Sequence, residues 1–188
     1  KSANQDTVQT WKKQLLRILS SRAVVDSSPN ARDWPRNLGH GFEAVEDLFL
    51  NAERRAEQRR FDDGVGRLYR AMELLAQIEL KKTFRLSTGN IEIDLLPSDI
   101  QGEYRRKLEH SGKNKLEIAL TNSFDLLARL GNSMGLRWEA KRAELVNSLQ
   151  TRNTSLFAHG FTRVDSKGWN EFSSVFGGFI RQEIDHVI

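Results

Sequence analysis

The chain has 188 residues, 38% hydrophobic and 29% charged, with a formal net charge of +4. That is enough apolar material for one packed domain, or one domain with an appendage, and the absence of cysteine excludes disulfides and every thiolate metal site while suiting a reducing cytoplasm. No apolar run approaches the ~20 residues that span a bilayer, and the small basic excess permits an anionic partner without demanding one.

Only three prolines occur, Pro29, Pro35 and Pro97, so helices can run through most of the chain. Residues 5 to 22 set Val8, Trp11, Leu15, Ile18 and Leu19 at helical spacing with Lys12, Lys13 and Arg17 largely opposite, which predicts an amphipathic helix. Residues 26 to 36 are polar and proline-broken, and read as a loop. The sequence opens on Lys1 rather than Met, so residues 1–39 are expected to be either an ordered first helix and loop or a linker left from a neighbouring domain.

From Phe42 to about Arg60, the positions Val45, Leu48, Phe49, Ala52 and Ala56 predict the next helix. Another runs from about Asp62 to Thr83 on a stripe of Val65, Leu68, Tyr69, Met72, Leu75 and Ala76, and Asp62 and Asp63 read as its N-terminal capping residues. Ile91, Ile93 and Leu95 then alternate with Glu92 and Asp94 before Pro97, which predicts an extended insert or short hairpin over 86–97. A polar helix over Asp99 to His110 follows, then one over Lys115 to Leu130 that Gly131 stops. Glu139 to Leu149 leads into a helical element over Arg152 to His159, which Gly160 ends. The last helix starts near Ser166 and carries Trp169, Phe172, Val175, Phe176, Phe179 and Ile180. The pattern predicts an all-α bundle with one short extended insert.

Arg152 and His159 stand seven positions apart, two helical turns on one face, with Asn153 directly after the arginine. The guanidinium can neutralise and orient a phosphate through its fork of donors, and an imidazole moves protons near neutral pH. Those are the two capacities that metal-free RNA cleavage requires. Asn153 is the candidate for orienting the histidine or the phosphate, and Ser155 is a weaker candidate for the same work. The acidic pair Asp62/Asp63 has no histidine near it in sequence, so no metal centre is expected. Arg67, Arg70 and Glu73 are spaced either to pair with one another or to line an RNA cleft. The clusters Arg54/Arg55/Arg59/Arg60 and Arg105/Arg106/Lys107 read as solvated faces, and His40, His110 and His186 as ordinary surface histidines. Trp169 and Phe176 read as core or as dimer interface.

Arg152-Asn153, a short spacer and His159 resemble the signature of the HEPN superfamily of helical nucleotide-binding domains, with the spacer at the long end of the family's range. The stretch Arg60 to Gln77 is similar to the helix preceding the catalytic one in ancillary proteins of type III CRISPR systems, which join a sensing CARF domain to a HEPN ribonuclease. The resemblance covers about residues 40–188. It implies a dimeric HEPN-type bundle that cuts single-stranded RNA as a metal-independent endoribonuclease without a cofactor, in a prokaryotic cytoplasm. It also implies Arg152, Asn153 and His159 as catalytic residues, with Ser155, Arg67, Arg70 and Asp62 binding RNA or supporting them. The homodimer would line one composite cleft with both motifs. The activating cyclic oligoadenylate would bind an N-terminal CARF domain, expected to lie outside this chain because no Gly-x-Gly-x-x-Gly follows a strand here. Two alternatives remain open: a HEPN module that binds nucleotide or RNA without cutting it, and a dimerisation bundle that buries Arg152 and His159 in its interface.

Overall fold

The 3.6-residue rhythm of the sequence folds into helices α1 (Glu43–Glu57), α2 (Phe61–Phe84), α3 (Ser98–Ser111), α4 (Leu120–Arg129), α5 (Ser133–Asn153), α6 (Ser166–Phe172) and α7 (Gly178–Val187). The structure is a computed structural model that describes residues 41–153 and 163–187 together with residues 9, 12, 15 and 16, side chains at 150–153 and 187 excepted. Residues 9, 12, 15 and 16 are helical; the rest of the helix expected over 5 to 22, the loop over 26 to 36 and His40 lie outside the described residues. Among the described residues there is no strand, and no helix is long and apolar enough to cross a membrane.

Helix α2 is the centre. Val65, Leu68, Met72, Leu75 and Ala76 on one side, and Ala71, Ile78 and Leu80 on others, are all buried, so the helix is covered on more than one face. It packs against α1, α4, α5, α6 and α7. α1 folds back on it through a tight Gln58–Arg60 connection, in which the Arg60 amide donates to the Arg55 carbonyl (2.9 Å) and the Arg59 amide to that of Ala56 (2.8 Å). This pair of hydrogen bonds is the Schellman closure of a helix, and it sets Arg59 at φ 60°, a conformation that glycine adopts without cost.

α4 and α5 form a second hairpin. Gly131, at φ 71°, ends α4 as expected, its amide donating to Ala128 and that of Asn132 to Leu127. Asn132 then caps α5, its Oδ1 accepting from the amides of Met134 (2.9 Å) and Gly135 (3.3 Å). α5 therefore begins at Ser133, well before the expected Glu139. A Cβ at Gly135 would collide with the backbone of Leu127 and Ala128, so the two helices cross at glycine distance. Phe124 and Trp138 stack at 4.5 Å between ring centroids, and Phe179 of α7 meets both edge-on at 5.7 and 6.2 Å, joining three helices in one aromatic contact. α6 starts where expected, Asp165 Oδ1 capping it by accepting from the Gly168 amide (2.8 Å). A π turn over Ser173–Gly177 continues α6 into α7.

Three expectations are corrected. The alternation over Ile91 to Leu95 does not make a strand: Ser87 and Asn90 form an isolated bridge, and Ile93–Leu95 is a 3₁₀ turn that leaves Leu95 exposed and turns Leu96 inward. α4 begins at Leu120 rather than Lys115. The intervening backbone is held by the insert, Leu116 O accepting from the Ile91 amide and the Ile118 amide donating to Thr88 O, both at 2.9 Å. Asp62 and Asp63 stand in the first turn of α2, but its N-cap residue is Arg60 and makes no side-chain cap bond; the two carboxylates reach elsewhere.

Charged pairs brace the helix packing. Glu183 on α7 is fully buried and takes both prongs of Arg137 from α5, Nε to Oε1 and Nη2 to Oε2, each at 2.6 Å. Asp125 on α4 accepts from Arg142 twice (2.9 Å each) and from Trp138 Nε1 (3.1 Å). Burial alone would raise the Asp125 carboxyl, and the bonds from Arg142 and Trp138 outweigh it, holding the group below its ordinary value. Hydrogen bonds from Lys107 and Arg129 bring Glu103 down to about 2.

Removing Arg137 strands a buried carboxylate, so Arg137→Ala is expected to lose ~3–5 kcal/mol in urea unfolding, while Arg137→Met combined with Glu183→Leu loses far less; a single-variant loss below about 1 kcal/mol would reject the pairing. Acid should also lower the stability of the chain in a defined window. Glu103 and Asp125 are both depressed, so the unfolded chain binds more protons; their stabilisation is complete above about pH 4.5 and lost as pH falls toward 2. The melting temperature is expected to drop across that window, and less steeply in Asp125→Asn; parallel curves would refute the assignment.

Candidate active site

α5 carries the chain from the Asn132 cap to Arg152 and Asn153, its last two residues. Twenty-one residues at ~1.5 Å per residue deliver this end about 30 Å from the cap. The side chains of Arg152 and Asn153, and all of Ser155, His159 and Gly160, lie outside the described residues.

The chain returns at Arg163 and Val164, and here it meets α2. The Val164 amide donates to Asp62 Oδ1 at 3.2 Å, a contact between residues 102 positions apart. Asp62 therefore ties the start of α2 to the chain that follows the motif, rather than capping its own helix.

Asp63, one residue on, sits among arginines. Arg60 Nη2 is 2.9 Å and Arg55 Nε 3.5 Å from its Oδ2, and Arg67 Nη2 is 3.2 Å from its Oδ1. Arg67 is thus paired within its own helix one turn back, not with Glu73. Arg70 behaves as its spacing suggested, meeting Glu73 Oε2 at 3.4 Å and Gln77 Oε1 at 3.2 Å. Of the expected supporting residues, Asp62 and Arg67 belong to one corner, and Arg70 is engaged further along α2. Sequence reasoning missed Asp63 as the shared partner of Arg55, Arg60 and Arg67; the available signal was a basic run one residue before two aspartates.

Beside this corner, α1, α2, α6, the π turn and α7 frame a cleft of about 660 Å³, lined among others by Phe49, Phe61, Leu68, Trp169 and Arg181. Trp169 is buried against the core, as is Phe176, while Tyr69 is half-buried against it. His110 and His186 each sit on the surface against the carbonyl four residues back, at 2.6 Å. Among the described residues, no group of three or more His, Asp or Glu side chains is arranged to hold a metal ion.

Comparison with protein-family models matches residues 37–183 to the Csm6 HEPN domain. A search of curated proteins finds no match. The matched span contains Asp62, Arg67, Arg70, Arg152, Asn153, Ser155 and His159.

The tether at Val164 makes a measurable claim. Hydrogen exchange at the Val164 amide is expected to speed up at least ~5-fold in Asp62→Ala, the equivalent of one hydrogen bond removed, and to stay near wild type in Asp62→Asn, whose amide oxygen still accepts. Unchanged exchange in Asp62→Ala would show that this bond does not hold the segment.

Proposed function

The chain belongs to the Csm6 HEPN domain family, and from that premise we propose that it is a metal-independent endoribonuclease domain acting on single-stranded RNA. The observation that carries the reading is the coincidence of the family match over residues 37–183 with Arg152, Asn153 and His159 inside it. The domain is the effector part of a type III CRISPR ancillary protein in a prokaryotic cytoplasm. A cyclic oligoadenylate bound by a CARF domain activates it, with residues 40–188 as the HEPN unit. It works as a homodimer, because one arginine and one histidine are few groups for this reaction and a two-fold axis doubles them.

The chemistry follows from those side chains. A base takes the 2′-hydroxyl proton, O2′ attacks the adjacent phosphorus, the P–O5′ bond breaks, and the departing 5′ oxygen takes a proton. The 5′ fragment ends in a 2′,3′-cyclic phosphate and the 3′ fragment begins with a hydroxyl. His159 moves protons, its unperturbed value near ~6.5 suiting neutral pH. Arg152 binds the scissile phosphate and stabilises the charge that builds on it. Asn153 orients one or the other, with Ser155 in support.

Cleavage of single-stranded RNA in EDTA tests this. His159→Ala and Arg152→Ala are each expected to lose at least ~10²-fold in rate with melting temperatures nearly unchanged. Activity that disappears in EDTA and returns with magnesium would overturn the metal-free reaction. A wild type that binds RNA without cutting it would favour the non-catalytic module. Variants that lose activity only by unfolding would favour a buried structural role for the motif.

A further inference from the structure

We propose that Arg55, Arg59, Arg60 and Arg67, gathered where α1 turns into α2, bind the phosphodiester backbone of the RNA substrate beyond the cleaved linkage. The inference rests on the ribonuclease reading for the identity of the ligand, and on the geometry of the corner for its place.

The first argument is charge. Three guanidiniums converge on the single carboxylate of Asp63, at 2.9, 3.2 and 3.5 Å. With the neighbouring Asp62, two carboxylates face three guanidiniums, so the group keeps an excess of one positive charge. Arg59 is exposed and makes no ion pair among the described residues, and over residues 55–67 four arginines stand against Glu57, Asp62 and Asp63, a net charge of +1. The basic run that read as a solvated face in the sequence is therefore a convergent cationic corner, since solvated arginines repel and spread while these are held together.

The second argument is reach and unsatisfied bonding. The Arg60 side chain is 56% exposed and those of Arg55 and Arg67 32%, so the guanidiniums are braced by Asp63 yet open to solvent on one side. Asp63 Oδ2 and Arg67 Nε are buried atoms without a hydrogen-bond partner among the described residues. The oxygens of a phosphodiester are acceptors that match the open side of an arginine fork.

The third argument is position. Asp62, the neighbour of Asp63, holds the amide of Val164 at 3.2 Å. Arg163, just before it, is exposed and unpaired among the described residues. The corner thus abuts Val164, five positions after His159 in the sequence. Arginines on phosphates position a strand without reading its sequence.

The backbone supplies a clean test. Arg59 adopts φ 60° at a helix-closing position that favours glycine, so Arg59→Gly relieves backbone cost while deleting a cation. Binding of a 2′-O-methylated single-stranded RNA, which lacks the attacking hydroxyl, is to be measured across a salt series. Arg60→Ala and Arg59→Gly are each expected to weaken binding several-fold at low salt and to flatten the log–log salt slope by roughly 0.7 for each phosphate left without its arginine. Arg59→Gly should do so with a melting temperature raised by ~2–4 °C. Arg105→Ala, which removes an equally exposed arginine of α3 that pairs with Asp94 of the 3₁₀ turn, should leave the slope unchanged. If wild type binds and the corner variants keep its slope, or if Arg105→Ala flattens it as much, the corner is overturned and the ribonuclease reading stands. If the wild type cuts RNA only in a His159-independent way, that reading falls while the salt slopes still decide the corner; failure of the wild type to bind overturns both.

Discussion

Everything in this molecule is built around the burial of α2. A helix with Val65, Leu68, Ala71, Met72, Leu75, Ala76, Ile78 and Leu80 all hidden cannot stand at a surface; it needs neighbours on several sides, and the other helices are arranged to supply them. Burying one large aliphatic side chain is worth ~1.5–3 kcal/mol, so the shared apolar wall of α2 dominates the energetics over any single polar contact. That constraint also makes its N-terminus a fixed platform. Gly64, where a Cβ would press on the Trp169 ring, seats α6 directly against the first turns of α2.

Because the platform is rigid, charge can be concentrated on it. The molecule uses arginine in two different ways. Arg137 on Glu183 and Arg142 on Asp125 are one-to-one forks that leave little charge to spare, and both brace α5 against a neighbouring helix. At the α1–α2 corner three arginines share the Asp63 carboxylate while Asp62 beside it is turned to Val164, which leaves a small positive excess. Excess charge of that kind disfavours the isolated fold through self-repulsion and favours an anionic partner.

The link from fold to chemistry runs through two helix ends. α5 brings Arg152 and Asn153 to its C-terminal end, and the chain after the motif is tied to the N-terminal end of α2 through Asp62 and Val164. Both anchors sit on long helices packed in the core.

Sequence alone determined the helical character of the chain, the bounds of α2 and α3 to within a residue and of α1 to within three, and the stop at Gly131, and it raised the expectation of a motif at Arg152, Asn153 and His159. Each is a local property: periodicity, a glycine in a left-handed turn, or a short spacing can be read without knowing what lies across the molecule. The alternation at Ile91 to Leu95 misled because period two in so short a run is shared by strands and by a 3₁₀ turn that hides only some of its apolar side chains. The early start of α5 was missed although Asn132 after Gly131 signals a cap, since polar-face residues dilute the apolar period there. What tertiary structure decided is everything set by distance in space. Asp62 meets Val164 across 102 positions, Glu183 meets Arg137 across 46, and Asp63 gathers arginines from two helices. No local pattern encodes such pairs, because which carboxylate faces which cation depends on how the apolar stripes of separate helices pack.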